Sequence, residues 1–269
     1  VRIYTVHLHS PHDDFQSRLE SLHILHWKLL HNQNRQPVHN VNLPEFRIDY
    51  VEVSNAEYVN FLNEIGNHRE GCEGELCIFL QSAKNSSKIS LTNNDYVVEA
   101  GWEEHPVVEV TWFGAHSYCT WHNTRLPSEA EWEKAARSDD ARHFPWGNNF
   151  DGSRVNYCDD ECTEEWKDEK FNDGYSTTSP VSSFPQGASP YGILNMSGNV
   201  LEWVNDWYDE AAYSKSLNLE HYEPPVGEYK VIRGGSWKND ESILATHFRT
   251  WFHPNDSASN LGFRCASSN

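Results

Sequence analysis

The stretch from Arg233 to Arg264 constrains this chain more than any other. It opens Arg-Gly-Gly-Ser-Trp and closes Asn-Leu-Gly-Phe-Arg-Cys. Gly234 and Gly235 suit positive φ or a close backbone approach. Trp237 is a bulky anchor expected to be buried, and Gly262-Phe263-Arg264 reads as the start of a closing strand. Between these ends, residues 238–260 carry neither a helical nor a strand period. A fixed frame around a long variegated loop is how binding and catalytic loops are built; the plain alternative is an ordinary surface loop. The candidate contact residues are Lys238, Asn239, Asp240, Ser242, His247, Phe248, Thr250, Trp251, Phe252, His253, Ser257, Ser259 and Asn260. Trp, Phe and His among small polar residues is the composition of a protein-binding patch, and Trp251, Phe252 and His253 are expected at the surface.

The remaining composition narrows the classes. A formal net charge of −19 over 269 residues argues against nucleic acid, which attracts basic surfaces, and is compatible with cation binding. No apolar run approaches the ~20 residues of a membrane span. Of six cysteines, Cys72 and Cys77 are close in sequence, as are Cys158 and Cys162, while Cys119 and Cys265 are far apart. No pair has the CxxC spacing of a zinc site. Three disulfides would suit an oxidising compartment; reduced thiols are the alternative. Asn85-Ser-Ser and Asn255-Asp-Ser match the N-glycosylation acceptor.

In chain order, Asp13 to His31 has helical spacing through Phe15, Leu19, Leu22 and Leu29, with His23, His26 and His31 on or beside the same face. Residues 1–35 read as an extension and 36–269 as the main domain. Gln36 to Tyr50 alternates like strands. Ser54 caps a helix over Ala56–Gly66 with Glu57 completing the cap box, and residues 67–100 read as irregular. His105–Val110 reads as a short strand, and Thr111 caps a helix through Trp121. Ser128 caps the strongest helix, through Arg137, with Glu131 as its partner. Phe144 to Ser189 is rich in Gly, Asn, Asp, Pro and Trp and lacks period, so disulfides or bound cations are needed to order it. Tyr229–Arg233 reads as a strand.

The motifs RLPSEAEWEKAAR (125–137), FPWGN (144–148), YGILNMSGNVLEWVNDWY (191–208), VIRGGSW (231–237) and NLGFRC (260–265) together resemble the formylglycine-generating enzyme, or sulfatase-modifying-factor, family. The likeness runs from about Gln36 to Ser268 and implies an α+β, C-type-lectin-like fold with much irregular structure. It implies a Cys119–Cys265 bridge and two structural calcium sites. One would use the side chains of Asn195 and Glu202 with the carbonyls of Gly198 and Val200. The other would use Asn156 and Asp173 with the carbonyls of Tyr157 and Tyr175. Hard oxygen donors of this kind suit calcium.

One departure decides the expected chemistry. The enzymes of the family carry two cysteines, five residues apart, just after the GGS-aromatic motif, and use them with copper. The matching positions here are Asn239 and Leu244, neither of which supplies the soft thiolate that copper(I) requires. No copper and no formylglycine reaction are therefore expected. The variable proteins of diversity-generating retroelements are similar in the opposite sense: they display a diversified loop between GGSW and GFR, and Arg249-Thr-Trp-Phe-His-Pro254 keeps that frame. The expectation is a non-catalytic module binding a protein or cell-surface ligand through residues 238–260, in an extracellular, cell-surface or virion-associated setting. The alternatives are an enzyme of altered chemistry, using non-haem iron or copper, and a catalytically dead paralogue of the formylglycine-generating enzyme.

Overall fold

A computed structural model describes residues 41–80, 86–215 and 222–268. The Asp13–His31 helix, the histidines around it and the Asn85 acceptor lie outside the described residues. Helix starts follow the local cap chemistry. Ser54 accepts from the Glu57 amide and Glu57 answers to the Ser54 amide, opening α1 (Asn55–Ile65), which Gly66 ends in the left-handed conformation. Thr111 caps α2 (Trp112–Trp121) through the Gly114 amide. Ser128 and Glu131 form the cap box of α3 (Glu129–Arg137).

Strands are short. β1 (Phe46–Ile48) pairs antiparallel with β8 (Ala266–Ser268), bringing the two ends of the domain together. β2 (Ile89–Thr92) and β3 (Asp95–Val98) form a hairpin inside the segment that reads as irregular. Its turn residues, Asn93 and Asn94, both have positive φ (53° and 70°), which asparagine tolerates and a tight hairpin requires. The central sheet has the order β6-β5-β4-β7, built from β4 (Leu201–Trp207), β5 (Lys230–Arg233), β6 (Arg249–Phe252) and β7 (Leu261–Phe263). β7 runs parallel to β4; the other pairs are antiparallel. The His105–Val110 segment is extended but forms only isolated bridges, because Glu109 has a φ of 61° and breaks its run.

Both faces of the sheet are covered, so β4 is buried without alternation. On one side Trp203, Ile232, Phe252 and Phe263 pack with Tyr58, Phe61 and Tyr118 of α1 and α2. On the other, Val204 and Val231 pack with Trp132, Ala135 and Ala136 of α3. The buried Trp203 and Trp112 indoles donate to the carbonyls of Val110 and Val204 at 3.0 and 2.9 Å, which removes the cost of burying an unpaired N–H.

The core also holds fixed charge. Arg264, fully buried, grips Glu202 with two bonds of 2.7 Å. Arg233 and Arg249 converge on Glu129 of α3, and Arg233 and Arg137 on Glu133. A helix with two glutamates facing inward has no plain apolar stripe, yet its buried carboxylates are paired, as burial demands. Disulfides join Cys72 to Cys77, Cys119 to Cys265 and Cys158 to Cys162. The second ties α2 to the closing segment across 146 residues.

Candidate functional site

The 238–260 stretch is more ordered than its lack of period implies. Leu244, Thr246, Phe248, Arg249 and Phe252 are buried, and β6 pairs with β5 along Arg249–Phe252. Phe252 lies on the core side of that strand, its ring 6.1 Å from Trp203. It is not the surface residue expected. Phe248 is likewise interior, and the Asn260 amide is turned inward to Ser236 at 2.8 Å. Trp237, expected in the core, is only half-buried, and its indole N–H is buried without a hydrogen-bond partner among the described residues. Phe263 is fully buried as expected. Phe252→Ala should therefore cost about 3–5 kcal/mol, the range for emptying an aromatic core position; a denaturant titration showing less than about 1 kcal/mol would contradict this placement.

The remaining candidates fall into three places. Ser242 and His247 line one wall of a cleft of about 390 Å³, with Glu241 and Ala245, and Asp240 accepts from the Ser242 amide at 2.9 Å. The opposite wall is His143, Phe144, Asn148, Asn149 and Phe150. The Thr246 amide donates to the His143 carbonyl at 2.7 Å, which fixes the two walls together. Lys238 and Asn239 come before Glu241 in sequence and are held by partners outside the cleft lining. The Lys238 ammonium pairs with Glu164 at 3.1 Å, and its carbonyl accepts from Trp166. The Asn239 side chain accepts from Ser236 Oγ at 2.7 Å, and its carbonyl accepts from the Cys158 amide. Thr250, Trp251 and His253 lie on or after β6, where Trp251 sits 4.2 Å from Tyr229 and 6.0 Å from Tyr208 between ring centres. Ser257 donates to Glu109 at 2.7 Å, and Ser259 is half-buried nearby in sequence. The 143–150 wall was visible in the sequence only as part of a motif, with nothing local to mark it as facing the loop.

Leu244 is fully buried against Phe144, Val155 and Tyr157 beneath the cleft. The position where the related enzymes place a thiol is thus an apolar plug.

The two oxygen-rich sets are joined in one buried network. Asn156 Nδ2 donates to the Thr177 carbonyl and to Asn199 Oδ1, and Asn199 Nδ2 donates to Glu52, which also accepts from Asn195. Gly198, at φ 79°, has no room for a side chain: a Cβ would stand 2.3 Å from the Asn156 carbonyl oxygen. In the Asn156–Asp173 set, Asn156 Oδ1 and Asp173 Oδ2 are buried and have no hydrogen-bond partner. Burial pushes the Asp173 carboxyl up to about 7, with Asp159 and Glu161 adding to the effect against the Tyr175 and Tyr157 amides. Two orphaned oxygens in an acidic pocket are what a cation would satisfy. In the Asn195–Glu202 set the Glu202 carboxylate is already taken by Arg264 and by the Trp132 indole at 2.8 Å. Among the described residues no three His, Cys, Asp or Glu side chains converge; the orphaned atoms are one amide oxygen and one carboxylate oxygen.

Fold, cleft and the framing motifs define a class. The sequence matches the sulfatase-modifying factor enzyme 1-like domain over residues 13–269, and the chain belongs to that family. The fold is the C-type-lectin-like one of the formylglycine-generating-enzyme type. Among its relatives, the serine/threonine-protein kinase Pkn1 of Chlamydia trachomatis is 38% identical over 234 residues, covering 86% of this chain and 34% of the kinase. The chain thus spans about a third of that relative's length. The formylglycine-generating enzyme of Bos taurus is 33% identical over 258 residues, covering 86% of this chain and 68% of the enzyme. Among solved structures, Treponema denticola variable protein 1 superposes with a TM-score of 0.60 at 22% identity, covering 86% of this chain and 87% of that one.

Proposed function

We propose that this domain is a non-catalytic ligand-binding module, supported by calcium, that presents two adjoining surfaces. One is the cleft between the 143–150 wall and Glu241–His247. The other is the edge of the sheet at Thr250, Trp251 and His253. The observation that carries this reading is the pair of substituted thiol positions: Leu244 is a sealed apolar plug and Asn239 is tied to Ser236. Neither supplies a copper ligand or a mixed disulfide. A variable protein of a diversity-generating retroelement is the most specific form of the proposal. The burial pattern then confines tolerated variation to exposed or half-buried positions such as Lys238, Ser242, His247, Thr250, Trp251 and His253. Three disulfides, and no helix among the described residues long and apolar enough to cross a membrane, agree with an extracellular or surface placement.

The calcium part rests on Asn156 and Asp173, whose orphaned oxygens would ligate the ion together with the Tyr157 and Tyr175 carbonyls. At Asn195, Gly198, Val200 and Glu202, Arg264 already supplies the positive charge, so any ion there adds less.

An enzyme of altered chemistry is the second reading, favoured by the 33% identity to a formylglycine-generating enzyme. The test is a combined variant, Thr250→Ala, Trp251→Ala and His253→Ala. It should fold with a loss of about 1–3 kcal/mol, the scale of losing the two ring contacts of a half-buried tryptophan, while releasing a partner that the native domain captures. A variant that unfolds as Phe252→Ala does, or that retains the partner, removes this surface from the proposal.

A further inference from the structure

The cleft that forms one of the two proposed binding surfaces holds a further feature. His143 and His247 face one another across it, one from each wall, with ring centres 5.5 Å apart and ring planes at 88°. Two imidazoles sharing one tetrahedral metal ion, at roughly 2.0–2.1 Å per nitrogen, hold their ring centres about 5.2 Å apart. The observed spacing therefore already suits a shared ion. His143 is exposed, so its ring can turn its nitrogen inward without disturbing the core. The backbones of the two walls are tied by the Thr246–His143 bond, so both side chains start from fixed positions.

The geometry points to a transition-metal site in this cleft, with His143 and His247 binding one divalent ion of the imidazole-preferring class, such as copper(II), nickel(II) or zinc(II). Imidazole nitrogen selects these ions over calcium and magnesium, which prefer oxygen. The site is distinct from the Asn156–Asp173 oxygen set in both residues and donor type. Glu241 and Asn148 line the same cleft, and the chain's charge of −19 favours cation entry. No third His, Cys, Asp or Glu already converges on the pair among the described residues. The protein thus supplies two ligands and leaves the other positions to water or to an incoming donor, such as a ligand's carboxylate or imidazole. This inference rests on the cleft alone and stands whether or not the sheet edge binds a partner.

The competing explanation is a pair of histidines packed edge to face with no affinity for metal. Copper(II) alone is the probe, titrated into the full chain with calcium saturating, and read by calorimetry and by electron paramagnetic resonance. The expected result is that His143→Gln combined with His247→Gln removes one copper(II) per chain relative to the native protein, together with a signal showing coupling to two nitrogens. Each single variant should weaken that ion by about tenfold or more, since loss of a ligand costs no less than loss of its outer-shell support. Counting the ions lost, rather than those bound, separates this site from any held by other histidines of the chain. An unchanged melting temperature in calcium shows that the variants fold. Equal copper(II) stoichiometry and affinity in the native and doubly substituted proteins would overturn the site. The Trp251→Ala variant should keep the ion, so loss of partner binding and loss of metal binding are separately visible.

Discussion

Arg264→Met is expected to destabilise the domain by about 3–5 kcal/mol, the scale for stranding a buried charge. Arg264 has no exposed surface, and its guanidinium holds both oxygens of Glu202 while donating to the Leu194 carbonyl at 3.0 Å. Glu52 is close by in the same buried network. Burial pushes its carboxyl up to about 7, with Arg264 acting to hold it down and Glu202 adding to the rise. Without the arginine, two carboxylates share a dry site with no counter-charge, and the main-chain carbonyls of Leu194 and Asp49 lose a donor. The pair Arg264→Met with Glu202→Gln should recover part of the loss, because the glutamine still accepts from Trp132 and no longer carries charge. Urea titration followed by circular dichroism reads both. If the single variant loses less than about 1 kcal/mol, the buried pair does not organise the core as described.

Calcium should raise the melting temperature, and a chelator should lower it, by about 5–10 °C when the ion is near a hundredfold above its dissociation constant. That range follows from roughly 2.7 kcal/mol of linkage and the usual temperature response of a domain this size. The cause is specific. Asn156 is oriented by two bonds from its Nδ2, so its Oδ1 faces the site without a partner, and Asp173 presents a second partnerless oxygen. Asp173→Asn keeps the shape and removes the charge; Asn156→Ala removes the neutral donor. Both should abolish the calcium response, while Glu202→Gln, acting through Arg264, should lower stability in calcium and chelator alike. Identical melting of the native protein with and without calcium would exclude the site.

These cases show which parts of the molecule a sequence displays. The helix starts at Ser54, Thr111 and Ser128 were legible because a cap is settled within three residues. The closing strand at Gly262 and the Tyr229–Arg233 strand were legible from their motifs. The β2–β3 hairpin was missed although Asn93-Asn94, set between the runs Ile89–Thr92 and Asp95–Val98, was its signal. β6 was missed for a different reason. Arg249 is paired to Glu129, 120 residues earlier, and Phe252 is buried by Trp203; neither partner is local. The same distance explains the cleft, since nothing near His247 announces that His143 stands opposite. The oxygen donors at Asn156 and Asp173 were named from the family likeness, but the orphaned state of their oxygens appears only once the chain is folded.

The measurement that bears most directly on the non-catalytic reading is mass spectrometry of a sulfatase-derived cysteine peptide incubated with the full chain, copper and oxygen. With Asn239 and Leu244 in place of the two thiols, the peptide's cysteine is expected to remain unconverted over a time course in which an active formylglycine-generating enzyme consumes it. Accumulation of formylglycine that depends on this chain would contradict the account, and would mean that residues other than a thiol pair perform the reaction on this fold.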